Sequence, residues 1–457
     1  MNFPLSTLGD ILSAPLLQEK PLHVTGTSFD SRKTQAGDLF IPIVAANDGH
    51  DFLDDAIKHG AVASLWQKDH QPYPTQLPII LVDDTLLAFQ QLAQAYLKMF
   101  HPKVVAISGS NGKTTTKDLT AAIGATSFNT YKTPANFNNE LGVPTTILNM
   151  PADTELLVIE LGMDHPNDLV ALSNLVQPDI AVLTMIGEAH IEFFKTRAKI
   201  ADGKMQIITG LKPGGSLVYN GDEPLLRERV QQHPALNTRT FGLENTNDNF
   251  ANAIHLASAS AHFCWQPLNE TIQIPLTGTY NVSNALAALS VGQLLGISPA
   301  LMAKALATAT ITENRTQWLP GNFGGQLLSD VYNANPTAVQ EVLKSFGQVP
   351  TKGERYVVLG DMLELGAQGP AMHAALASSL KPQTVHEVFL IGPLMQNLAE
   401  ELTKTYSADH LHYYRQDQQA ELIHDLQATL SPDDLLLLKG SHGMHLERVV
   451  AALYDHN

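Results

Sequence analysis

A run of apolar residues, Val104 to Ser108, leads directly into Gly109-Ser110-Asn111-Gly112-Lys113-Thr114-Thr115, and a helical pattern, TTTKDLTAAIGA, follows. No other feature restricts the possible fold so much. A short apolar run without alternation predicts a strand covered on both faces, as in a parallel sheet. Glycines let the backbone turn tightly and approach an anion with no Cβ in the way. The first N–H groups of the helix have no partner within it, and its dipole favours negative charge there. The chain is therefore expected to bind the phosphates of ATP at the carboxyl end of this strand. Gly109, Ser110, Asn111, Gly112, Lys113, Thr114 and Thr115 are the candidate contacts. In such loops the lysine reaches the β/γ-phosphates and a following hydroxyl ligates Mg²⁺. Lys113 and Thr115 are assigned those two roles, with Thr114 as the other candidate for the metal. The loop is short: Ile107 stands where the general phosphate-loop pattern has its first glycine.

The same alternation of buried strand, loop and helix recurs along most of the 457 residues, too many for one ordinary core. The expected fold class is α/β in three domains. Residues 1–84 form a small α/β domain, in which DLFIPI and AVASLWQ read as strands and LDDAIKHG as a helix ended by Gly60. Residues 85–313 form a central, mostly parallel sheet of phosphate-loop type that includes LLVIELG and IAVLTMIG. From Ser216 to about Thr277 the pattern is more alternating, and NVSNALAALSVGQLLG is a helix. Residues 314–457 form a second doubly wound, Rossmann-like sheet from LLSDVY, RYVVLGDM, EVFLIG and DLLLLKGS.

Composition excludes several classes. The chain is 44% hydrophobic and 16% charged, which is globular. It has no apolar run long enough to span a bilayer, so no membrane span is expected. The formal net charge of −17 opposes non-specific binding to nucleic acid. Cys264 is the single cysteine, so no intrachain disulfide can form; this fits the cytoplasm, and the thiol is expected to be a small core residue.

The short form SGSNGKTT is how the Mur ligase and folylpolyglutamate synthetase superfamily writes its phosphate loop. Further segments resemble that superfamily in the right order: TPANFNNELGVP, LLVIELGMDHP, TMIGEAHIEFF, KIADGKMQII, TGTYNVSNALAAL, NRTQW, SDVYNANP and KGSHGMHLERVV. NFNNELGVP, SDVYNANPTA, LGDMLELG and the pair SFDSR with DLFIPI resemble the branch that joins D-alanyl-D-alanine to a UDP-muramoyl-tripeptide. This resemblance spans essentially the whole chain. It departs from the family at three points: Tyr280 and His442 stand where His and Arg are usual, and Met205-Gln206 replaces Gly-Glu. An imidazole lacks the guanidinium fork, so any anion contact made by that arginine in relatives is not carried over to His442.

The resemblance implies an ATP-dependent, ADP-forming amide ligase working through an acyl phosphate. It implies two Mg²⁺ sites held by Thr115, Glu160, His190 and a carbamylated Lys204. Asn281, Asn284, Arg315 and Asp330 would contact ATP, and Ser31, Arg32, Asn138 and Asn139 the nucleotide peptide. Lys113, Lys204, His190 and Glu160 would be the catalytic group. A monomer is expected, with UDP-muramoyl-tripeptide and D-Ala-D-Ala as its small-molecule partners. Two other readings compete: a related ligase that adds one amino acid to a muramoyl peptide or glutamate to folate, and a regulatory ATPase that ligates nothing. ATP on the central domain must meet third-domain groups such as Asp330, so the domains are expected to stand apart before substrates bind.

Overall fold

The computed structural model describes residues 1–312 and 316–455. Its sheets come from three successive parts of the chain. The first, a five-stranded mixed sheet, is built from Leu16–Leu17, Gly26–Ser28, Asp38–Phe40, Ala63–Gln67 and Ile79–Val82. The helix Leu53–His59 ends at Gly60, which adopts the left-handed conformation expected of it (φ +115°). Asp84 then caps Thr85–Phe100, accepting a hydrogen bond from the Leu87 N–H at 2.8 Å.

The central sheet has nine strands. At its heart lie β1 (Lys103–Ser108), β2 (Leu156–Glu160) and β3 (Ile180–Leu183), with β1 between the other two and parallel to both. All three are almost entirely buried, which explains their uninterrupted apolar runs. Two strands, Ala261–Gln266 and Glu270–Ile274, close one edge antiparallel, in the region of alternating pattern. The chain leaves β1 for β2 on one side and reaches β3 on the other, so a crevice opens at the carboxyl end of β1. Ligands bind at such a switch point in doubly wound sheets. Helix α1 (Lys113–Gly124) starts there, and α2 (Arg197–Met205) and α3 (Thr279–Leu294) pack nearby.

The third sheet has six strands. Its centre holds β4 (Gln326–Asp330) and its parallel neighbour β5 (Leu435–Lys439), which end side by side with Asp330 opposite Lys439. Helix α4 (Pro336–Phe346) follows β4. One apolar cluster joins the three parts, containing Leu5, Val104, Leu157, Val339 and Leu437. The central and third parts were expected to stand apart before substrates bind; in this structure they touch, with Asn111 and Asn335 exchanging hydrogen bonds at 3.2 and 2.8 Å. No helix among the described residues is long and apolar enough to cross a membrane.

Candidate active site

Two glycines shape the phosphate loop, and each is required by a close approach. Gly109 has φ +148°, and a Cβ on it would lie 1.8 Å from Thr184 Oγ1. Gly112 has φ +80°, and its Cβ would lie 2.3 Å from Asn284 Oδ1. The loop is tied to the end of β3: the Ser110 N–H donates to the Met185 carbonyl at 2.9 Å, and the Thr184 hydroxyl donates to the Asn111 carbonyl at 2.5 Å. Lys113 Nζ donates to the Gly109 carbonyl at 3.0 Å, so the ammonium folds over the loop that begins its own helix.

Glu160 closes β2 and is buried. Its Oε2 accepts from the Thr114 hydroxyl at 2.9 Å, and its Oε1 accepts from Asn138 Nδ2 at 2.8 Å. The hydroxyl that meets the carboxylate is thus Thr114's. Thr115, which the sequence reading favoured, lines the neighbouring cavity instead. Asn139 serves the backbone: its Oδ1 accepts from the Gly142 N–H at 2.9 Å and starts the helix Gly142–Leu148. Asn138 and Asn139 nevertheless line one small cavity of about 130 Å³ with Asp164 and Asp168.

Lys204, on α2, is buried, and its amine has no hydrogen bond or ion pair among the described residues. Burial first, then the charge of Lys113, holds its pKa well below the usual lysine range. The position therefore favours the neutral amine, against the opposing pull of Asp164, Glu160 and Asp168. His190 begins a short helix in the left-handed conformation (φ 62°). Its ring lies 3.5 Å from an Asp164 oxygen and 2.6 Å from Glu364 Oε2, the latter pair close but not aligned as a hydrogen bond. The close approach of His190 is the first cause holding the Glu364 carboxyl below the ordinary range.

A cavity of about 250 Å³ lies beside the loop and is walled by two domains. Asn111, Thr115, Asn281 and Asn284 line it from the central domain; Asp330 and Lys439 line it from the third. Asn284 donates to Asn281 Oδ1 at 3.1 Å and accepts from the Thr116 hydroxyl at 3.3 Å, fixing the start of α3 against α1. Lys439 Nζ donates to Asp330 Oδ2 at 2.5 Å and to the Asn333 carbonyl at 2.9 Å. Tyr280 also lines the cavity, donating to Thr316 Oγ1 at 3.4 Å; burial raises its pKa far above the usual range, so it is a neutral phenol. Asn111 and Asn335 exchange two amide hydrogen bonds across the domains, at 2.8 and 3.2 Å.

Other residues lie elsewhere. Ser31 is buried in a turn capped by Asp30, and Arg32 forms a two-pronged pair with the Asp30 carboxylate, both bonds at 2.9 Å. Neither lines the cavity beside the phosphate loop. His442 is exposed and stacks at 5.6 Å on Tyr332. Cys264 is half-buried. Arg315 lies outside the described residues. The sequence reading missed Lys117, which is fully buried one helical turn after Lys113 and donates to the Thr133 carbonyl at 3.0 Å. Burial lowers its pKa, opposed by Asp118 and Glu160. It also missed Asn335, although the motif containing it was noted.

The oxygens of Glu160 and Thr114 are hard donors that suit Mg²⁺. Comparison with known proteins agrees with this geometry. Residues 107–292 match the Mur ligase middle domain, and residues 314–442 match the family described as Mur ligase, glutamate ligase domain. A UDP-N-acetylmuramoyl-tripeptide–D-alanyl-D-alanine ligase of Bacillus subtilis is 37% identical over 97% of this chain and 96% of its own length. A crystal structure of MurF from Acinetobacter baumannii superposes with a TM-score of 0.89 at 26% identity, covering 99% of this chain and 98% of that one. MurF ligase from Thermotoga maritima, solved in complex with ADP, gives 0.81 at 27% identity over 94% and 97%. With its phosphate loop, buried carboxylate and two-domain cavity, and with these matches along nearly all its length, the chain belongs to the Mur ligase family.

Proposed function

We propose that this chain joins D-alanyl-D-alanine to UDP-N-acetylmuramoyl-tripeptide at the expense of ATP, releasing ADP and phosphate, and so makes the pentapeptide precursor of peptidoglycan. The observation that carries this reading is the buried Glu160 with its Thr114 and Asn138 partners, set beside a cavity walled by both domains. The 37% identical Bacillus relative of that name supports the choice of substrates.

The reaction has two steps. A carboxylate oxygen of the tripeptide attacks the γ-phosphorus of ATP, and ADP leaves with the bridging oxygen. The amine of the dipeptide then attacks the acyl carbon, phosphate leaves, and the amine's proton passes to solvent or a base. Repulsion between two anions is the main obstacle, so positioning and charge stabilisation dominate. Lys113 supplies fixed positive charge at the loop, and the N–H groups of α1 supply partial charge. Asn281 and Asn284 shape the cavity wall; Asp330, paired with Lys439, brings the third domain to it, and Arg315 is assigned to the same ATP contact. Mg²⁺, held by Thr115 or Thr114 with Glu160, His190 and a carbamate on Lys204, would screen the phosphate and acceptor charges. The unpartnered Lys204 amine supports the carbamate: its depressed pKa favours the neutral form, which adds CO₂ and releases a proton. Ser31, Arg32, Asn138 and Asn139 are assigned to the nucleotide peptide.

We take residues 1–84, 85–313 and 314–457 as the nucleotide-peptide, ATP and dipeptide domains. One chain supplies both walls of the ATP cavity, so we take a monomer as the working unit, in the cytoplasm where its nucleotide substrates are made. ADP release measured with UDP-muramoyl-tripeptide and either D-Ala-D-Ala or single amino acids tests the assignment. Turnover is expected with the dipeptide; turnover with a single amino acid alone would overturn it.

A further inference from the structure

The third sheet gathers two histidines and a glutamate of metal-ligand type at the end opposite the cavity beside the phosphate loop. Asp330 and Lys439 are the last residues of their parallel strands. By contrast, Glu387 is the first residue of Glu387–Ile391, His386 precedes it, and His410 precedes Leu411–Tyr414. The two strands are parallel, with Val388 opposite Leu411. That register sets Glu387 beside His410 and places both on one face of the sheet with His412.

One ligand atom each from His386, Glu387 and His410 lies within 4.8 Å of the other two. The His386 and His410 rings meet edge to face, 4.6 Å apart at 67°. Imidazole lone pairs lie in the ring plane, so inclined rings can aim at one point. Glu387 is buried, and its carboxylate is already held by His412 Nε2 at 2.6 Å. The Glu354 carboxylate stands 3.8 Å from His386 Nδ1. His410 Nδ1 is shielded from solvent and has no hydrogen-bond partner among the described residues. Leaving such an atom unpaired is costly unless something satisfies it.

A second histidine group, Asp48, His50 and His70, does not share these features. There the rings stack nearly parallel, 4.1 Å apart at 12°, so their lone pairs run side by side. Both His50 nitrogens are also engaged, Nδ1 with Asp48 at 2.7 Å and Nε2 with the Gln67 N–H at 3.4 Å.

We propose that His386, Glu387 and His410 bind a divalent transition metal of the zinc class, which pins the starts of two neighbouring strands. Two imidazoles and a carboxylate are a donor set for such a metal. The fourth position falls to water or to Glu354. His412, through its bond to Glu387, positions that ligand. Ligase chemistry lies at the other end of the strands, so the metal acts on the stability of this domain and not on turnover.

Titration of the full chain with Co²⁺ tests this, in excess Mg²⁺ so that the oxygen-rich catalytic site is filled. One equivalent should give the visible absorption of low-coordinate cobalt, and Zn²⁺ should displace it and raise the melting temperature. The double variant His386→Gln/His410→Gln should lose the signal and the thermal shift while keeping ligase activity. His412→Gln should weaken binding about tenfold. Asp48→Asn/His70→Gln should bind as the unaltered chain does. The proposal fails if the unaltered chain gives no cobalt signal, or if the double variant binds as tightly as the unaltered chain.

Discussion

A lysine amine buried without a partner is stable only if it sheds its charge or changes chemically. Lys204 meets that condition beside Lys113, whose positive charge adds to the penalty of burial. Carbamylation reverses the sign of the side chain and turns repulsion of a cation into attraction. Lys204→Ala should therefore cut ligation on the order of 10²–10³-fold while ATP binding persists. Short carboxylates such as acetate should restore part of the rate by filling the vacated volume with an anion; wild-type activity in the variant would defeat the assignment. The unmodified lysine also makes a pH prediction. Between its lowered folded value and the ordinary 10.5, the unfolded chain binds more protons than the folded one, so stability rises with pH across that interval. Melts of CO₂-depleted protein should show Lys204→Met ahead of the parent at low pH, with the gap closing as pH rises. Lys204 was found through a family likeness, and nothing in its local pattern marks it. Lys117 shows why: a lysine at helical spacing reads as a solvated face, and its complete burial against Thr133 depends on strands folded from elsewhere. Glu160 too came through the resemblance, although a buried carboxylate at the end of an apolar strand gives it a local mark that Lys204 lacks.

Elements whose sequence is dominated by burial were the legible ones. Strands β1, β2 and β3 are covered on both faces, so their apolar runs need no knowledge of neighbours to be recognised. The edge strands Gln317–Pro320 and Leu411–Tyr414 were not read, since they are only partly buried and mix polar with apolar residues. The helix Gly142–Leu148 was not read, because it begins with Gly, Val and Pro and continues with two threonines. Its start depends on the Asn139 side chain. The glycine turn before α1 was legible because its chemistry is local: the backbone needs positive φ and an open approach. Gly112→Ala places a methyl group 2.3 Å from Asn284 Oδ1 at φ +80°. The strained conformation alone costs about 1–2 kcal/mol. Relieving the contact displaces Asn284 from the cavity wall. ATP affinity, followed by calorimetry, should fall by about tenfold or more while the far-ultraviolet circular dichroism stays that of a folded chain. Unchanged ATP affinity would show that Asn284 has no part in shaping the cavity.

Closure of the molecule is a balance between modest polar contacts, and this makes it adjustable by ligands. Asn111 meets Asn335, and Glu188 Oε2 accepts from both the Thr337 N–H at 3.1 Å and its hydroxyl at 2.7 Å. On the connection between the domains, the Thr312 N–H and hydroxyl both donate to buried Asp118, at 2.9 and 2.8 Å, and Lys132 holds the same carboxylate. The last described residue before the third domain is thereby fixed to the helix that begins at Lys113. The contacts of Asn111 with Asn335, Glu188 with Thr337 and Asp118 with Thr312 were not legible in the sequence, because each joins residues more than a hundred positions apart. A ligand shifts such an equilibrium only by its difference in affinity for the two arrangements. ATP gains that difference here because its cavity has a wall from each domain. Thr337→Val removes one of the two bonds to Glu188 and leaves the backbone bond. The loss is about 1 kcal/mol, roughly a fivefold shift toward the open arrangement. Small-angle scattering should then show the parent contracting when an ATP analogue and the nucleotide peptide are added. The variant should reach the same contracted radius only at several-fold higher ligand, with KM for ATP raised to match and kcat nearly unchanged. Equal ligand dependence in both proteins would place the control of closure elsewhere, with the Asp118–Thr312 connection the next element to break.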